Sequence, residues 1–181
     1  MTDFVHQRHK PAVPLAGARD LVLACPPLRS NVNLSRIVRA AGCCGVQRMI
    51  VCGRPKIDPE IARNALEQLE LESHRTLPPV LAKLRREGYA LVGLEQTTRS
   101  QSLYDFRFQP RTVLVIGHER LGLTSELLEL LDHVVEIPVF GLPHSHNVAT
   151  AVAMALYEYC RQCGFRQVQE PASRTPEPLD H

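Results

Sequence analysis

The sequence predicts an α/β domain, a mostly parallel sheet flanked by helices, and three observations carry that prediction. Short apolar runs rich in β-branched residues recur along the chain, and helical spacing follows most of them, the order that a parallel sheet requires. The last such transition is sharp. Val134 to Val139 reads as a buried strand, Phe140 to His144 as a Gly- and Pro-containing turn, and Val148, Ala151, Val152, Ala155, Leu156 and Tyr159 fall at helical spacing. Third, 181 residues with 44% hydrophobic content and no internal repeat suit one domain with its own core.

In chain order, residues 1–20 form an arm, basic at first (His6, Arg8, His9, Lys10) and then rich in Pro and Ala. Leu21 to Ala24 is a strand stopped by Pro26 and Pro27. Asn31 to Ala41 is a helix with Ile37, Val38 and Ala41 inward, ended by Gly42 to Gly45. Gln47 to Cys52 is a strand. Ile57 to Leu71 is expected to be one helix, opened by Asp58-Pro59-Glu60. Pro78 to Gly88 is a helix closed by its glycine. Tyr89 to Glu95 is a strand, Thr97 to Gln109 a polar loop, and Thr112 to Gly117 a strand. Thr124 opens a short helix to Leu131. Ser145 is expected to cap the last helix, leaving Asn147 in its first turn. Residues 21–165 are the domain, and residues 166–181, with their prolines and charges, are expected to be disordered.

Composition removes several function classes. A net charge of +2 gives no massive basic surface, so a nucleic-acid partner needs a local patch, and 21 Lys and Arg leave room for one. Most of these cations are arginine, which suits bidentate phosphate contacts and equally fits a genome bias. No apolar run is long enough to span a membrane, and residues 1–20 lack the apolar segment of a signal peptide. The chain is therefore expected to be cytoplasmic, its six cysteines reduced. Cys160-x-x-Cys163 and Cys43-Cys44 read as packing residues; no metal site is expected.

Three segments hold polar residues that a core does not need. Asn33, Arg36 and Arg39 lie along one side of a helix in N-V-N-L-S-R-I-V-R-A-A-G. Glu119 stands between Gly117 and Gly122 directly after a strand. Ser145, His146 and Asn147 open the last helix, where α/β proteins place ligands on free backbone N–H groups. Each has a bland alternative: a solvated arginine face, a plain turn, a helix cap. Neither the P-loop nor the GxGxxG fingerprint is present.

In this order the three segments resemble the SpoU/TrmH family of the SPOUT superfamily, S-adenosylmethionine-dependent RNA 2′-O-ribose methyltransferases. The family's N-x-x-x-x-x-R-x-A matches Asn33, Arg39 and Ala41. Its G-x-E-x-x-G matches Gly117, Glu119 and Gly122. Its third motif matches Ile137, Pro138, Gly141, Ser145, Asn147 and Val148. The resemblance runs over residues 20–163, and residues 88–100 look closest to the branch that methylates guanosine in the tRNA D-loop.

The resemblance implies a deep trefoil knot formed by the segments after Leu114, a homodimer whose active site is completed across the interface, and S-adenosylmethionine as cofactor. It implies that Arg39 is the central catalytic residue, with Asn33, Glu119, Ser145 and Asn147 around it. The cofactor is expected on Leu94, Glu95, Ile116, Gly117, Gly122, Ile137, Val139, Gly141 and His146, with the glycines letting backbone approach the ligand. His146 stands where the family usually has Leu or Met, and Val139 where Met is frequent. Without an added RNA-binding domain, grip on RNA falls to residues 1–20, the two-subunit surface and Arg36, Arg99 and Arg120. RNA is the expected partner, tRNA before rRNA. The alternatives are an rRNA methyltransferase, an inactive RNA-binding protein of the same fold, and an unrelated nucleotide-binding α/β enzyme.

Overall fold

The computed structural model describes residues 4, 5, 7, 10–15 and 19–163. The expected disordered tail, 166–181, lies outside the described residues, as do parts of the arm. Seven strands, β1 (Leu21–Cys25), β2 (Arg48–Cys52), β3 (Glu70–His74), β4 (Ala90–Leu94), β5 (Gln101–Ser102), β6 (Thr112–Ile116) and β7 (His133–Glu136), form one sheet in the order β3-β2-β1-β6-β4-β7-β5. Every pairing is parallel. All the strands therefore end at the same edge, and whatever follows them is gathered there.

The helices are α1 (Asn31–Cys43), α2 (Pro59–Ala62), α3 (Pro78–Arg86), α4 (Ser125–Glu129) and α5 (Val148–Cys163). The two-residue alternation of the strands sorts their side chains into two cores. Leu21, Leu23, Met49, Leu114 and Ile116 face α1 and α5, meeting Ile37, Val38, Val152 and Leu156. Val22, Ala24, Ile50, Val113 and Val115 face the other way, onto Leu81 and Leu84 of α3 and Leu127 of α4. β1, β4 and β6 are buried along their whole length, which is why they read as unbroken apolar runs.

Four boundaries differ from expectation. The helix expected over 57–71 stops after Ala62, because Arg63 turns into a left-handed conformation at φ 54°. A 3₁₀ turn, Arg63–Glu67, follows, and Glu70–His74 becomes an edge strand on β2. Its charged side chains disguised it in the sequence, and they are what a sheet edge carries. The loop 97–109 contains β5, and it buries Leu103, Phe106 and Phe108; the two phenylalanine rings stack edge to face 4.9 Å apart. β7 ends at Glu136, two residues before Pro138, which has no N–H to donate. The last helix starts at Val148. Asn147 rather than Ser145 caps it, accepting from the Ala149 N–H at 2.9 Å on its side chain and from Ala151 on its carbonyl.

The cysteines pack. Cys160 is buried on α5 and its Sγ donates to the Cys44 carbonyl at 3.6 Å, while Cys163 donates to the Phe108 carbonyl at 3.7 Å. Burial pushes the Cys25 thiol up from its ordinary value.

Candidate active site

A cavity of about 490 Å³ opens where β4, β6 and β7 end, closed on one side by the start of α5 and by Asn33 of α1. Its aliphatic wall is Leu94, Ile116, Ile137, Val139 and Val148, and its polar rim includes Glu95, Glu119, Ser145, His146 and Asn147. A pocket of this size with few convergent polar groups is the usual form of a small-molecule site.

Glu119 organises the rim. Its Oε2 accepts from the Arg29 backbone N–H at 3.0 Å, and its Oε1 accepts from the Ser30 N–H at 3.1 Å and from Asn33 Nδ2 at 3.4 Å. The two backbone donors are free because they precede α1: Ser30 is the N-cap, its Oγ taking the Asn33 N–H at 3.1 Å. Burial raises the carboxyl's pKa, but the Arg29 and Ser30 N–H groups and the Asn33 amide outweigh it and hold it below the usual carboxylate range. Asn33 Oδ1 in turn accepts from Asn147 Nδ2 at 3.2 Å. Three residues from three separate motifs thus form one relay, Glu119–Asn33–Asn147, and Asn147 completes it by capping α5.

Glu95 has a different role. Its Oε2 accepts from the Leu123 N–H at 2.9 Å and its Oε1 from the Gln96 N–H at 3.0 Å, so it ties the end of β4 to the loop after β6. A Cβ built on Gly117 would stand 2.7 Å from that Oε2, and one on Gly122 would meet the same oxygen. Besides lining the cavity, these glycines make room for the Glu95 carboxylate. Gly122 also needs its hydrogen side chain for φ 64°.

The expected site residues divide in two. Leu94, Glu95, Ile116, Gly117, Gly122, Ile137, Val139, His146, Asn33, Glu119, Ser145 and Asn147 all line the cavity. Gly141 and Arg39 do not. Gly141 is exposed, and a Cβ added to it would meet nothing within 4 Å. Arg39 is exposed nearly two turns down α1 from Asn33. The sequence reading missed Ser30, Gln96, His118 and Glu136. The Ser30 signal was a cap position before a helical run. His118 Nδ1 accepts from the Arg120 and Leu121 N–H groups at 3.1 and 3.3 Å, and so shapes the turn that carries Glu119.

The motif order, the parallel sheet and the rim now meet a family description. Residues 20–157 match the model of the SpoU rRNA Methylase family. The chain belongs to that family. A SpoU-family chain is thus expected to have named relatives, and it does. A tRNA/rRNA methyltransferase of Synechocystis, uncharacterized by its name, is 36% identical over 152 residues, covering 78% of this chain and 53% of the relative. The tRNA (guanosine(18)-2′-O)-methyltransferase of Escherichia coli is 27% identical over 146 residues, 79% of this chain and 64% of the relative. The SpoU domain also superposes with a TM-score of 0.69 on the SpoU methyltransferase AviRb of Streptomyces viridochromogenes in complex with AdoMet, at 29% identity, covering 82% of this chain and 62% of that one. The chain thus spans less than two thirds of these relatives' lengths.

Proposed function

We propose that this SpoU-family chain is an S-adenosylmethionine-dependent 2′-O-ribose methyltransferase of RNA, acting on tRNA, with guanosine in the D-loop as its nucleotide. The observation that carries the reading is the Glu119–Asn33–Asn147 relay on the rim of the cavity, because it joins all three motifs that the sequence shares with the family. The names of the Escherichia coli relative and of the AdoMet-bound neighbour supply the substrate and the cofactor.

The residues present fit that cofactor. The aliphatic side chains of Leu94, Ile116, Ile137, Val139 and Val148 offer an apolar slot for a planar base, and the backbone at Ile137–Val139 is not drawn into β7. Bound there, S-adenosylmethionine supplies an electrophilic methyl group on a sulfonium. The chain's own residues hold the ribose hydroxyl in line with it. Glu119 is not the base: both of its oxygens accept from N–H groups, which stabilise the charged form and keep it from taking a proton. It fixes Asn33, and Asn33 fixes Asn147 at the mouth of the cavity. Ser145 presents its hydroxyl to the same space and makes no hydrogen bond among the described residues. The role of the Arg39 guanidinium is to grip the ribose phosphate and polarise the hydroxyl, whose proton is lost to water.

Arg39 stands outside the cavity of one protomer, and the homodimer reading accounts for that. Val32, Phe140, Leu142, Met154 and Tyr157 are exposed apolar side chains on α1, on the loop before α5 and on α5 itself. A second copy covering them brings surface to the cavity mouth, where Arg39 and Gly141 then serve. The knot after Leu114, the cytoplasmic setting and the limits of the domain at 21–165 belong to the same proposal. Among the described residues, no helix is long and apolar enough to cross a membrane.

The test is methyl transfer from radiolabelled S-adenosylmethionine to bulk tRNA and to rRNA, with the modified nucleotide mapped. Arg39→Ala is expected to lower the rate by about 10²-fold or more while cofactor binding, measured by calorimetry, is kept. An unchanged rate removes Arg39 from the reaction. Transfer confined to rRNA replaces the tRNA reading with the one in the family's own description.

A further inference from the structure

The strand ends beyond the cavity carry cations that the reaction does not use. Because the sheet is parallel, the loops after β6, β1, β2 and β3 stand in a row at one edge, and direct contacts link each to the next. Glu119, after β6, takes the backbone N–H of Arg29, after β1. A Cβ on Gly53, after β2, would lie 3.4 Å from the ring of Pro27, after β1. The Gly53 N–H donates to the carbonyl of His74, the last residue of β3, at 3.2 Å. The row covers three strand intervals, about 14 Å at ~4.8 Å each.

On this row sit Arg29, Arg54, Lys56 and Arg75, all exposed. None of their side chains makes an ion pair or hydrogen bond among the described residues. The acids nearby are engaged: Asp58 caps α2 by accepting the Glu60 N–H at 2.9 Å, and Glu60 lies 3.7 Å from Arg63. At the opposite, amino edge the pattern is reversed. Arg48 at the start of β2 is paired with Glu72, Arg85 with Asp132 at 2.8 Å, and Arg111 lies over the Tyr89 ring at 4.7 Å. Arg48, Arg85 and Arg111 at the amino edge are engaged by the protein itself, and Arg29, Arg54, Lys56 and Arg75 at the carboxyl edge are left for a partner of negative charge.

We propose that the carboxyl ends of β1, β2 and β3 form a phosphate track for the RNA strand that leads away from the target nucleotide, with Arg29 nearest the cavity and Arg54, Lys56 and Arg75 farther out. The track rests on the RNA-methyltransferase reading and adds to it a surface outside the matched motifs. It reads charge and spacing and not bases, since phosphate contacts set register and carry no sequence information directly. Its span suits a few consecutive phosphates of one strand.

The experiment measures binding of fluorescently labelled bulk tRNA between about 50 and 200 mM salt for the wild type and for the triple variant Arg54→Gln, Lys56→Gln, Arg75→Gln. The salt slope of the triple variant is expected to fall by about two to three, so that its loss of affinity across that range shrinks by more than roughly tenfold. Its melting temperature and its affinity for S-adenosylmethionine stay those of the wild type. The control Lys83→Gln, Arg86→Gln changes cations at the end of α3, on the amino side, and is expected to keep the wild-type slope. A triple variant that binds with wild-type affinity and slope overturns the track, and so does a control that falls equally. Methyl transfer by the wild type is read alongside. An active wild type with an unaffected triple variant removes the track alone, whereas a wild type inactive on both tRNA and rRNA removes the functional reading with it.

Discussion

The two edges of the sheet are built from the same residue types and do opposite things with them. At the amino edge, polar groups close on each other. Asp132 takes the Leu91 N–H at 2.8 Å and the Arg85 guanidinium at 2.8 Å, and Arg48 and Glu72 neutralise one another. At the carboxyl edge, the carboxylates of Glu95 and Glu119 are satisfied by backbone N–H groups, and arginines are left free. Backbone donors can hold a carboxylate without engaging a cation, so this edge keeps a formed pocket and its positive charge together. Ligand sites of parallel sheets gather at this edge because every strand delivers its following loop there.

The severest challenge to this contrast is at the carboxyl edge. Gly122→Ala puts a Cβ at φ 64° against the Glu95 carboxylate, which two N–H groups hold in place. A stability loss of about 2–3 kcal/mol is expected in urea unfolding, with cofactor affinity lowered as well. Glu119→Gln replaces an acceptor oxygen by an NH₂ facing the Arg29 or Ser30 N–H; a cost of about 1–3 kcal/mol is expected by the same measurement.

The same residue sets a pH dependence. The Glu119 carboxyl lies below its unfolded value, so its contribution is full above the ordinary carboxylate range and is lost as pH falls through the lowered folded value. Acid unfolding of Glu119→Gln should therefore lack part of the wild type's loss of stability on the acid side of about pH 4. If the two profiles run parallel there, the hydrogen bonds to Glu119 are not what lowers it.

Smaller effects follow. Asn147→Ala removes the α5 cap and the relay's last member, and is expected to cost about 1 kcal/mol. Asn147→Asp restores the cap but not the Nδ2 donor, so a variant with recovered stability and low methyl transfer separates the two roles. Arg85→Gln at the amino edge breaks a half-exposed pair and should cost under about 1 kcal/mol, leaving RNA binding unchanged. A large loss of RNA binding there would erase the contrast between the edges.

How much of this was legible in the chain varies by region. The buried strands β1, β4 and β6 were plain, because a strand covered on both faces must be apolar throughout. β3 was hidden, since its Glu70, Glu72 and His74 are acceptable only at a sheet edge, and edge position is a property of the whole sheet. β5 was hidden by its length, two residues inside a polar loop. Asn33, Glu119, Ser145 and Asn147 stood out as polar residues at strand ends and helix starts. The part played by Glu95 did not, because nothing near it in the sequence says that Gly117 and Gly122 leave space for its carboxylate.

By itself, the sequence determined the parallel α/β class, the buried strands β1, β4 and β6 with the helices other than the one expected over 57–71, and the motif residues at their ends. These follow from periodicity, caps and breakers, which act over a few neighbouring residues. Only the tertiary structure decided which of those residues meet. Glu119 reaches Asn33 across 86 positions and Asn147 reaches Asn33 across 114. Such partners are set by strand order and by the packing of α1 and α5 on one face of the sheet, and a hydrogen bond of about 3 Å has no trace in local sequence.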